Sequence, residues 1–250
     1  MLDVTQGSST SSPGGALRPM PFPRIGRLAG KVLRLAYALT GRDRIGVLRL
    51  ERVQGTSLLV MPSVFNPKGT RAGAFLAAQL DSRLVRADAE VLDMGTGSGV
   101  CAVFAARHAR RVVAVDINPE AARCAGINAG LNHLEHRIEV RHGDLFAAVA
   151  GERFDLILFN PPFLRGAPRD DCDRAWRSTD VPERFAAGLS SHLKPGGIAL
   201  VVLSTFGNPE VFLDQLRYRG IVISVLAQRR FINERLAVFR LEPPGPRGPV

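Results

Sequence analysis

The chain has 250 residues, 46% of them hydrophobic, and carries a formal net charge of +10 at pH 7. This composition is that of a globular protein, and the length suits a single α/β core with a short appendage. The widely spaced Cys101, Cys124 and Cys172 argue against a disulfide framework and favour a reduced, cytoplasmic protein.

The N-terminal part is predicted to be a tail followed by a basic appendage over residues 24–62. Residues 1–23 are rich in Ser, Thr, Gly and Pro without periodicity, which predicts disorder. Residues 24–40 predict a basic amphipathic helix, too short and too charged to span a membrane. A β-hairpin around Gln54-Gly55 should follow, from residues 45–52 and 57–61. Residues 1–60 hold nine bases and three acids, so the appendage either packs across the remaining chain or helps to bind substrate or nucleic acid.

Alternating strands and helices then predict an α/β domain over residues 63–242. Short apolar runs predict strands at residues 90–94, 111–116, 137–141, 154–159 and 198–203. Helices are predicted at residues 119–131, 181–193 and 209–219, the second of them stopped by Lys194-Pro195-Gly196-Gly197. Too few residues separate the strands at 221–226 and 236–241 for a crossover helix, so this last pair should be antiparallel. Residues 243–250 are predicted to be a disordered tail.

A glycine-rich turn, Gly95-Thr96-Gly97-Ser98-Gly99, follows the first of these strands. Glycines allow positive φ and let a ligand approach the backbone. Asp116 ends the next strand, 19 residues after Gly97, where a carboxylate is placed to bind ribose hydroxyls. The pair predicts a cofactor that contains a nucleoside. The dinucleotide motif G-x-G-x-x-G is not met, because Val100 stands where its third glycine would be.

The strand at residues 154–159 runs directly into Asn160-Pro161-Pro162-Phe163. Two prolines cannot continue a strand, so the backbone turns at the strand end, where open α/β sheets place their sites. A carboxamide, a free carbonyl and a ring would then face one cleft and could hold a flat, neutral NH₂ group. We therefore expect Asn160, Pro161 and Phe163 to be catalytic. The alternative roles are a turn cap for Asn160 and ordinary core packing for Phe163.

The pattern Asp93-x-Gly95-x-Gly97-x-Gly99 resembles motif I of the class I S-adenosylmethionine-dependent methyltransferases, over roughly residues 60–242. The resemblance implies a Rossmann-like, mostly parallel seven-stranded sheet with an antiparallel last hairpin and helices on both faces. It implies that Asp93 binds the amino-acid part of S-adenosyl-L-methionine, that Asp144 lies near the adenine amine, and that Ile117 and Leu145 pack on the adenine faces. The residues implied to bind the cofactor are Thr70, Asp93, Gly95, Thr96, Gly97, Gly99, Asp116, Ile117, Asp144, Leu145 and Asn160.

Within that superfamily, Asn-Pro-Pro-aromatic marks enzymes that methylate planar nitrogens, and the chain looks most like the HemK-type glutamine N-methyltransferases. Residues 64–71 are similar to a family stretch that lines the pocket, and Trp176 stands where short relatives often carry a tryptophan. Phe163 replaces the family's usual tyrosine, which keeps the ring and loses the hydroxyl. The resemblance implies substrate contacts from Phe65, Pro162, Phe163 and Trp176, although Trp176 could also be a cover over the loop.

The sequence leaves the methyl acceptor open. The first expectation is a protein glutamine amide of a release-factor-type substrate. The alternative is an RNA base, at adenine N6 or guanine N2, because Asn-Pro-Pro-Phe also occurs in RNA methyltransferases and the N-terminus is basic. A small-molecule N-methyltransferase and a non-catalytic cofactor-binding relative are further alternatives. His133 and His136 have no acid or cysteine at ligand spacing, so no metal is expected; a monomer or weak dimer without a membrane partner is expected.

Overall fold

The computed structural model describes residues 47–66, 71–169, 173–232 and 234–244. The predicted tail at residues 1–23, the predicted helix at residues 24–40 and Thr70 lie outside these ranges. The strands are β1 (Arg49–Val53), β2 (Thr56–Val60), β3 (Glu90–Met94), β4 (Arg111–Asp116), β5 (Ile138–His142), β6 (Phe154–Phe159), β7 (Leu164–Arg165), β8 (Arg177–Ser178), β9 (Leu193–Ser204), β10 (Val222–Arg230) and β11 (Arg235–Glu242). The α-helices are α1 (Ala72–Ala77), α2 (Val100–Ala106), α3 (Pro119–Leu131), α4 (Val181–His192) and α5 (Pro209–Tyr218), and short 3₁₀ helices lie at Leu145–Val149 and Asp173–Ala175.

Seven of these strands form one sheet, in the order β10-β11-β9-β6-β3-β4-β5. The strands from β9 to β5 run parallel, and β11 pairs antiparallel with both β9 and β10. The predicted mostly parallel sheet with an antiparallel last hairpin is therefore confirmed. The chain winds outward from β3 to β5 and then returns to β6 on the other side of β3. This reversal leaves a crevice at the carboxyl ends of β3, β4 and β6.

Helices cover both faces of the sheet and bury two groups of apolar side chains. The first core cluster joins one face of the sheet to α1 and α2, and the second joins the other face to α4 and α5. Successive residues of β3 alternate between them, with Val91 in the first cluster and Leu92 in the second, as the two-residue period of a strand requires. Burial on both faces explains the continuous apolar strands of the sequence. Within the described ranges, no helix is long and apolar enough to cross a membrane.

The expected hairpin is present as β1 and β2, with Gln54 and Gly55 both at positive φ in its turn, as a two-residue hairpin turn requires. It packs against α3 through the fully buried Asn128. The Leu59 N–H donates to Asn128 Oδ1 at 2.7 Å, and Asn128 Nδ2 donates to the carbonyls of Leu59 at 2.7 Å and Ser98 at 2.8 Å. One side chain thus ties the hairpin to α3 and to the glycine-rich turn.

The predicted boundary between α4 and β9 is wrong. Strand β9 begins at Leu193, which pairs with Phe154, and it includes the Lys194-Pro195-Gly196-Gly197 segment that was expected to be a loop closing the helix. A Cβ at Gly197 would lie only 2.8 Å from the Phe154 carbonyl oxygen. Glycine is therefore needed here because this segment lies against the neighbouring strand.

Candidate active site

A cavity of about 250 Å³ opens at the carboxyl ends of β3, β4 and β6; we call it the main cavity. Its walls include the glycine-rich turn after β3 and the residues that follow β4 and β5. Asn160 and Pro162 also line it; they belong to the loop Asn160-Pro161-Pro162-Phe163 after β6, which we call the Asn160 loop. The sequence-predicted residues that line it are Phe65, Asp93, Gly95, Thr96, Gly97, Asp116, Ile117, Asp144, Leu145, Asn160 and Pro162.

The glycine-rich turn brings backbone N–H groups to the cavity. Gly97 has a φ of 56°, and its N–H donates to Asp116 Oδ2 at 2.8 Å. This bond joins the turn to the end of β4 and holds the two predicted parts of the site together. Gly99 does not line the cavity, although it was predicted to bind the cofactor; a Cβ there would lie 3.0 Å from Ala125 Cα on α3. Gly99 thus allows α2 and α3 to pack closely.

Asp93 is a buried acid in β3 and is 3% exposed. Its Oδ2 accepts hydrogen bonds from Thr96 Oγ1 at 2.6 Å and from the Ala102 N–H at 2.9 Å. Burial raises the pKa of Asp93 to about 7, while these two hydrogen bonds act in the opposite direction. A positively charged group bound beside this carboxylate would offset its desolvation, so Asp93 suits a cationic ligand.

Asp116 forms a second acidic wall of the cavity. Besides Gly97, it accepts a hydrogen bond from the Asn118 N–H at 2.9 Å, and burial raises its pKa against the effect of these backbone donors. Asn118 also lines the cavity and caps α3 by accepting from the Glu120 N–H at 3.0 Å. The sequence shows Asn118 as a helix cap, since it precedes Pro119, but gives no signal for its place at the site.

Asp144, Leu145 and Ile117 form the part of the cavity predicted to hold a flat ring. Leu145 has a φ of 48°, a conformation that costs energy for a residue with a branched side chain and is concentrated at functional sites. Asp144 Oδ2 accepts from Arg184 on α4 at 2.7 Å. Arg184 lines the cavity too and was not predicted, because it stands 40 residues from Asp144 on a helix surface rich in polar residues.

The Asn160 loop carries an acceptor atom that lacks a donor. Asn160 and Pro162 line the main cavity, and Pro161 between them is buried. Asn160 Oδ1 is buried and accepts no hydrogen bond from any part of the chain that the structure describes. Buried carboxamide oxygens nearly always have a donor, so this atom suits a donor brought by a ligand.

Phe163 and Trp176 do not line the main cavity. Phe163 is half-buried, packs against the first core cluster, and lines a second cavity of about 430 Å³. Pro162 and Ser178 line both cavities, so the two adjoin at the Asn160 loop. Trp176 packs on Phe65 with ring centroids 4.7 Å apart, and Phe65 is the member of the pair that reaches the main cavity.

The sheet order, the glycine-rich turn with its two acids, and the Asn160 loop together define a class I S-adenosylmethionine-dependent methyltransferase. The cavity fits this cofactor, because its wall contains the buried carboxylate of Asp93 and open backbone at Gly97. Its wall residues also carry two buried oxygens, Asn160 Oδ1 and Ser98 Oγ, that have no hydrogen-bond partner among the described residues. Residues 56–223 match the methyltransferase small domain family, and the chain belongs to that family. The predicted enzyme class, an S-adenosylmethionine-dependent N-methyltransferase, and its cofactor are thereby confirmed.

The relatives act on different acceptors. A Methanocaldococcus jannaschii protein with the provisional name protein N5-glutamine methyltransferase is 29% identical over 75% of this chain and 95% of its own length. A release factor glutamine methyltransferase of Cereibacter sphaeroides is 32% identical over 73% of this chain and 69% of its own. A ribosomal RNA small subunit methyltransferase C of Alcanivorax borkumensis is 34% identical over 56% of this chain and 40% of its own.

Among solved structures, the T. thermophilus 16S rRNA N2 G1207 methyltransferase, in complex with AdoMet and guanosine, superimposes with a TM-score of 0.60 and 25% identity. The match covers 79% of this chain and 50% of that chain. The chain thus spans half or less of the two RNA-modifying relatives, and most of the two glutamine-modifying relatives.

Proposed function

We propose that the protein methylates the side-chain amide of a glutamine in a protein of the release-factor type. Two relatives that the chain covers over 95% and 69% of their length carry glutamine methyltransferase names. The observation that carries the proposal is the buried Asn160 Oδ1, which lacks a donor among the described residues and lies in the wall of the main cavity. A primary amide brings N–H donors to this position.

The cofactor supplies an activated methyl group on a positively charged sulfur. We assign Asp93 to its cationic amino group, because this carboxyl is buried in the cavity wall, where burial raises its pKa and a positive partner would offset the desolvation. Asp116 would take the ribose hydroxyls, and Ile117 and Leu145 would enclose the adenine ring, with Asp144 near its amine. Thr70 keeps its predicted role in cofactor binding and lies outside the described residues.

An amide nitrogen is a weak nucleophile because its lone pair is delocalised into the carbonyl group. The two N–H groups of the amide would donate hydrogen bonds to Asn160 Oδ1 and to the Pro161 carbonyl oxygen. These bonds would turn the nitrogen lone pair toward the methyl group. The bound cofactor would supply the methyl group with a neutral thioether as the leaving group, and the amide would release one N–H proton to water. The two oxygens stabilise the positive charge that develops on nitrogen, and alignment, rather than a strong base, is the protein's main contribution.

Methylation of an RNA base is the second candidate. It is supported by the structural match to the rRNA methyltransferase and by the net charge of +10. The same two oxygens would accept the hydrogens of an exocyclic amine, since it presents the same planar NH₂ group as a primary amide.

Labelled methyl transfer into a cell extract separates the two candidates. We expect label from the wild type to be lost on protease treatment and kept after RNase treatment; the reverse result would exclude glutamine. Asn160→Ala should reduce transfer by at least about 100-fold, while its cofactor affinity, measured by calorimetry, stays within a few-fold of wild type. Unchanged transfer by this variant would refute the role of Asn160.

A further inference from the structure

Arg71 and Arg229 meet at the Phe231 ring at the tip of the β10–β11 hairpin, and the exposed Arg230 lies between Arg229 and Phe231 in the chain. Arg71, Arg229 and Arg230 form no ion pair with any described carboxylate, and we call them, with Phe231, the arginine tip. Arginines elsewhere on the same elements do have partners. Arg240 on β11 binds Glu242 at 2.6 Å.

Phe231 holds two of these guanidinium groups in place. The Arg71 guanidinium carbon lies 4.6 Å from the centre of its ring, and that of Arg229 lies 5.3 Å away. The ring itself is half-buried against the first core cluster, and the Phe231 N–H donates to the Glu234 carbonyl at 2.7 Å. A guanidinium held over a ring keeps its N–H donors at its edge, where they match the two oxygens of a carboxylate.

The arginine tip lies beside the acceptor end of the site. Gly73, two residues after Arg71, lines the main cavity. Glu234, next to the tip, accepts a hydrogen bond from the Ser204 hydroxyl, and Ser204 lines the second cavity together with Phe163. A molecule whose amide reaches the Asn160 loop would therefore pass close to the arginine tip.

We propose that the arginine tip binds carboxylates on the surface of the protein acceptor, next to the glutamine that is methylated. This rests on the proposed function. The neighbouring edge strand β10 pairs only with β11 among the described residues and exposes Val225 and Leu226, 40% each. An open strand edge with apolar side chains suits a polypeptide rather than an RNA strand.

The charge of the chain's own N-terminal segment does not suit binding to the arginine tip. Residues 1–46 hold seven bases and two acids, so they would be repelled by the three arginines. An acidic partner has the opposite sign. Its attraction would speed encounter and would weaken as salt is added.

The test compares Arg229→Glu/Arg230→Glu with a control, Arg153→Glu/Arg219→Glu, which reverses two other exposed arginines that have no ion pair among the described residues. We expect the tip variant to raise KM for the protein acceptor by about tenfold or more at low salt. Its KM should also lose most of its salt dependence. Its cofactor affinity, its kcat, and its turnover of a short neutral glutamine peptide should match wild type. The KM of Arg229→Lys/Arg230→Lys for the protein acceptor should stay close to the wild-type value.

A tip variant with the same protein KM as the control would overturn the proposal. An equal loss on the neutral peptide would also overturn it, because the defect would then lie in the catalytic site or the fold. If the wild type transfers label to RNA and none to protein, the proposed function itself fails. If the wild type transfers label to protein and the KM of the tip variant is unchanged, the arginine-tip proposal alone fails. The two failures are therefore distinguishable.

Discussion

Asp93 is buried at the end of β3, and its hydrogen bonds require an oxygen acceptor at this position. Its pKa of about 7 lies above the value of about 3.9 expected in an unfolded chain. The folded state therefore binds the proton more tightly, so stability falls as pH rises from about 4 to about 7 and the loss is complete above that range. Asp93→Asn removes this titration. Without cofactor, its thermal midpoint should exceed that of wild type at pH 8, and the difference should shrink toward pH 5.

Asp88→Asn is the matched control for this pH dependence. The exposed Asp88 binds Arg86 at 2.9 Å, and this partner lowers the pKa of Asp88 below its ordinary value. Asp88 does not titrate above pH 5, so the difference in thermal midpoint between Asp88→Asn and wild type should stay constant from pH 5 to 8. Thermal unfolding followed by circular dichroism measures both series. A constant difference for Asp93→Asn would show that Asp93 is ionised throughout.

Residue positions at strand ends could be predicted, whereas side-chain directions in loops could not. The nearness of Gly97 and Asp116 could be predicted because parallel strands bring their carboxyl ends together, whereas Asp93 was implied by the resemblance to motif I. The loop that contains Phe163 has no periodicity to show that its ring packs on the core. Arg184 gave no signal because its contact with Asp144 depends on how α4 lies over the sheet.

At the level of elements, the turn after β9 fixes the Asn160 loop through Gly207. A Cβ at Gly207 would lie 2.1 Å from the Phe163 carbonyl oxygen and 2.9 Å from its carbon, both backbone atoms. Gly207→Ala must therefore displace the Asn160 loop. We expect methyl transfer to fall by about 100-fold, the effect of a misplacement of about 1 Å, with cofactor affinity within a few-fold of wild type.

Gly126→Ala tests whether any glycine replacement has this effect. Gly126 lies exposed on α3, and a Cβ there meets nothing within 4 Å. This variant should keep full activity and gain up to about 1 kcal/mol of stability from the higher helix propensity of alanine. Single-turnover kinetics and calorimetry on both variants measure the two effects. Normal transfer by Gly207→Ala would show that the Asn160 loop tolerates displacement.

Element bounds were predicted best where buried runs end at a turn residue. The bounds of β3, β4, β6 and α3 match the prediction. Gly95 follows β3, Asn160 follows β6, α3 begins at Pro119, and β4 ends at the charged Asp116. They were predicted worst at β9, where Pro195 and Gly196 resemble a helix stop but lie within a strand. The sequence shows that these residues break a helix; it does not show that the strand begins before them, since that depends on pairing with Phe154.

At the scale of the whole molecule, the hairpin and the glycine-rich turn are coupled. The division of the chain at residue 62 remains a prediction, and the contacts across it are specific. Val60 packs with Ala121 and Cys124, and Asn128 bonds to both Leu59 and Ser98. This coupling could not be predicted from the sequence, because an asparagine in a helix is usually exposed to solvent. We infer that β1, β2 and the sheet unfold as one unit.

Asn128→Ala tests this inference. It leaves the Leu59 N–H and the carbonyls of Leu59 and Ser98 without their side-chain partner, which should cost about 3 kcal/mol of unfolding free energy. Asn132→Ala, which removes one bond to the hairpin at the Ser57 carbonyl, should cost about 1 kcal/mol. Urea unfolding should remain a single transition in both, and the Asn128 variant should bind the cofactor more weakly, because Ser98 belongs to the glycine-rich turn. If instead the hairpin alone were cleaved by protease and the unfolding free energy of the sheet were unchanged, the hairpin would unfold as a separate unit. That result would support a boundary at residue 62.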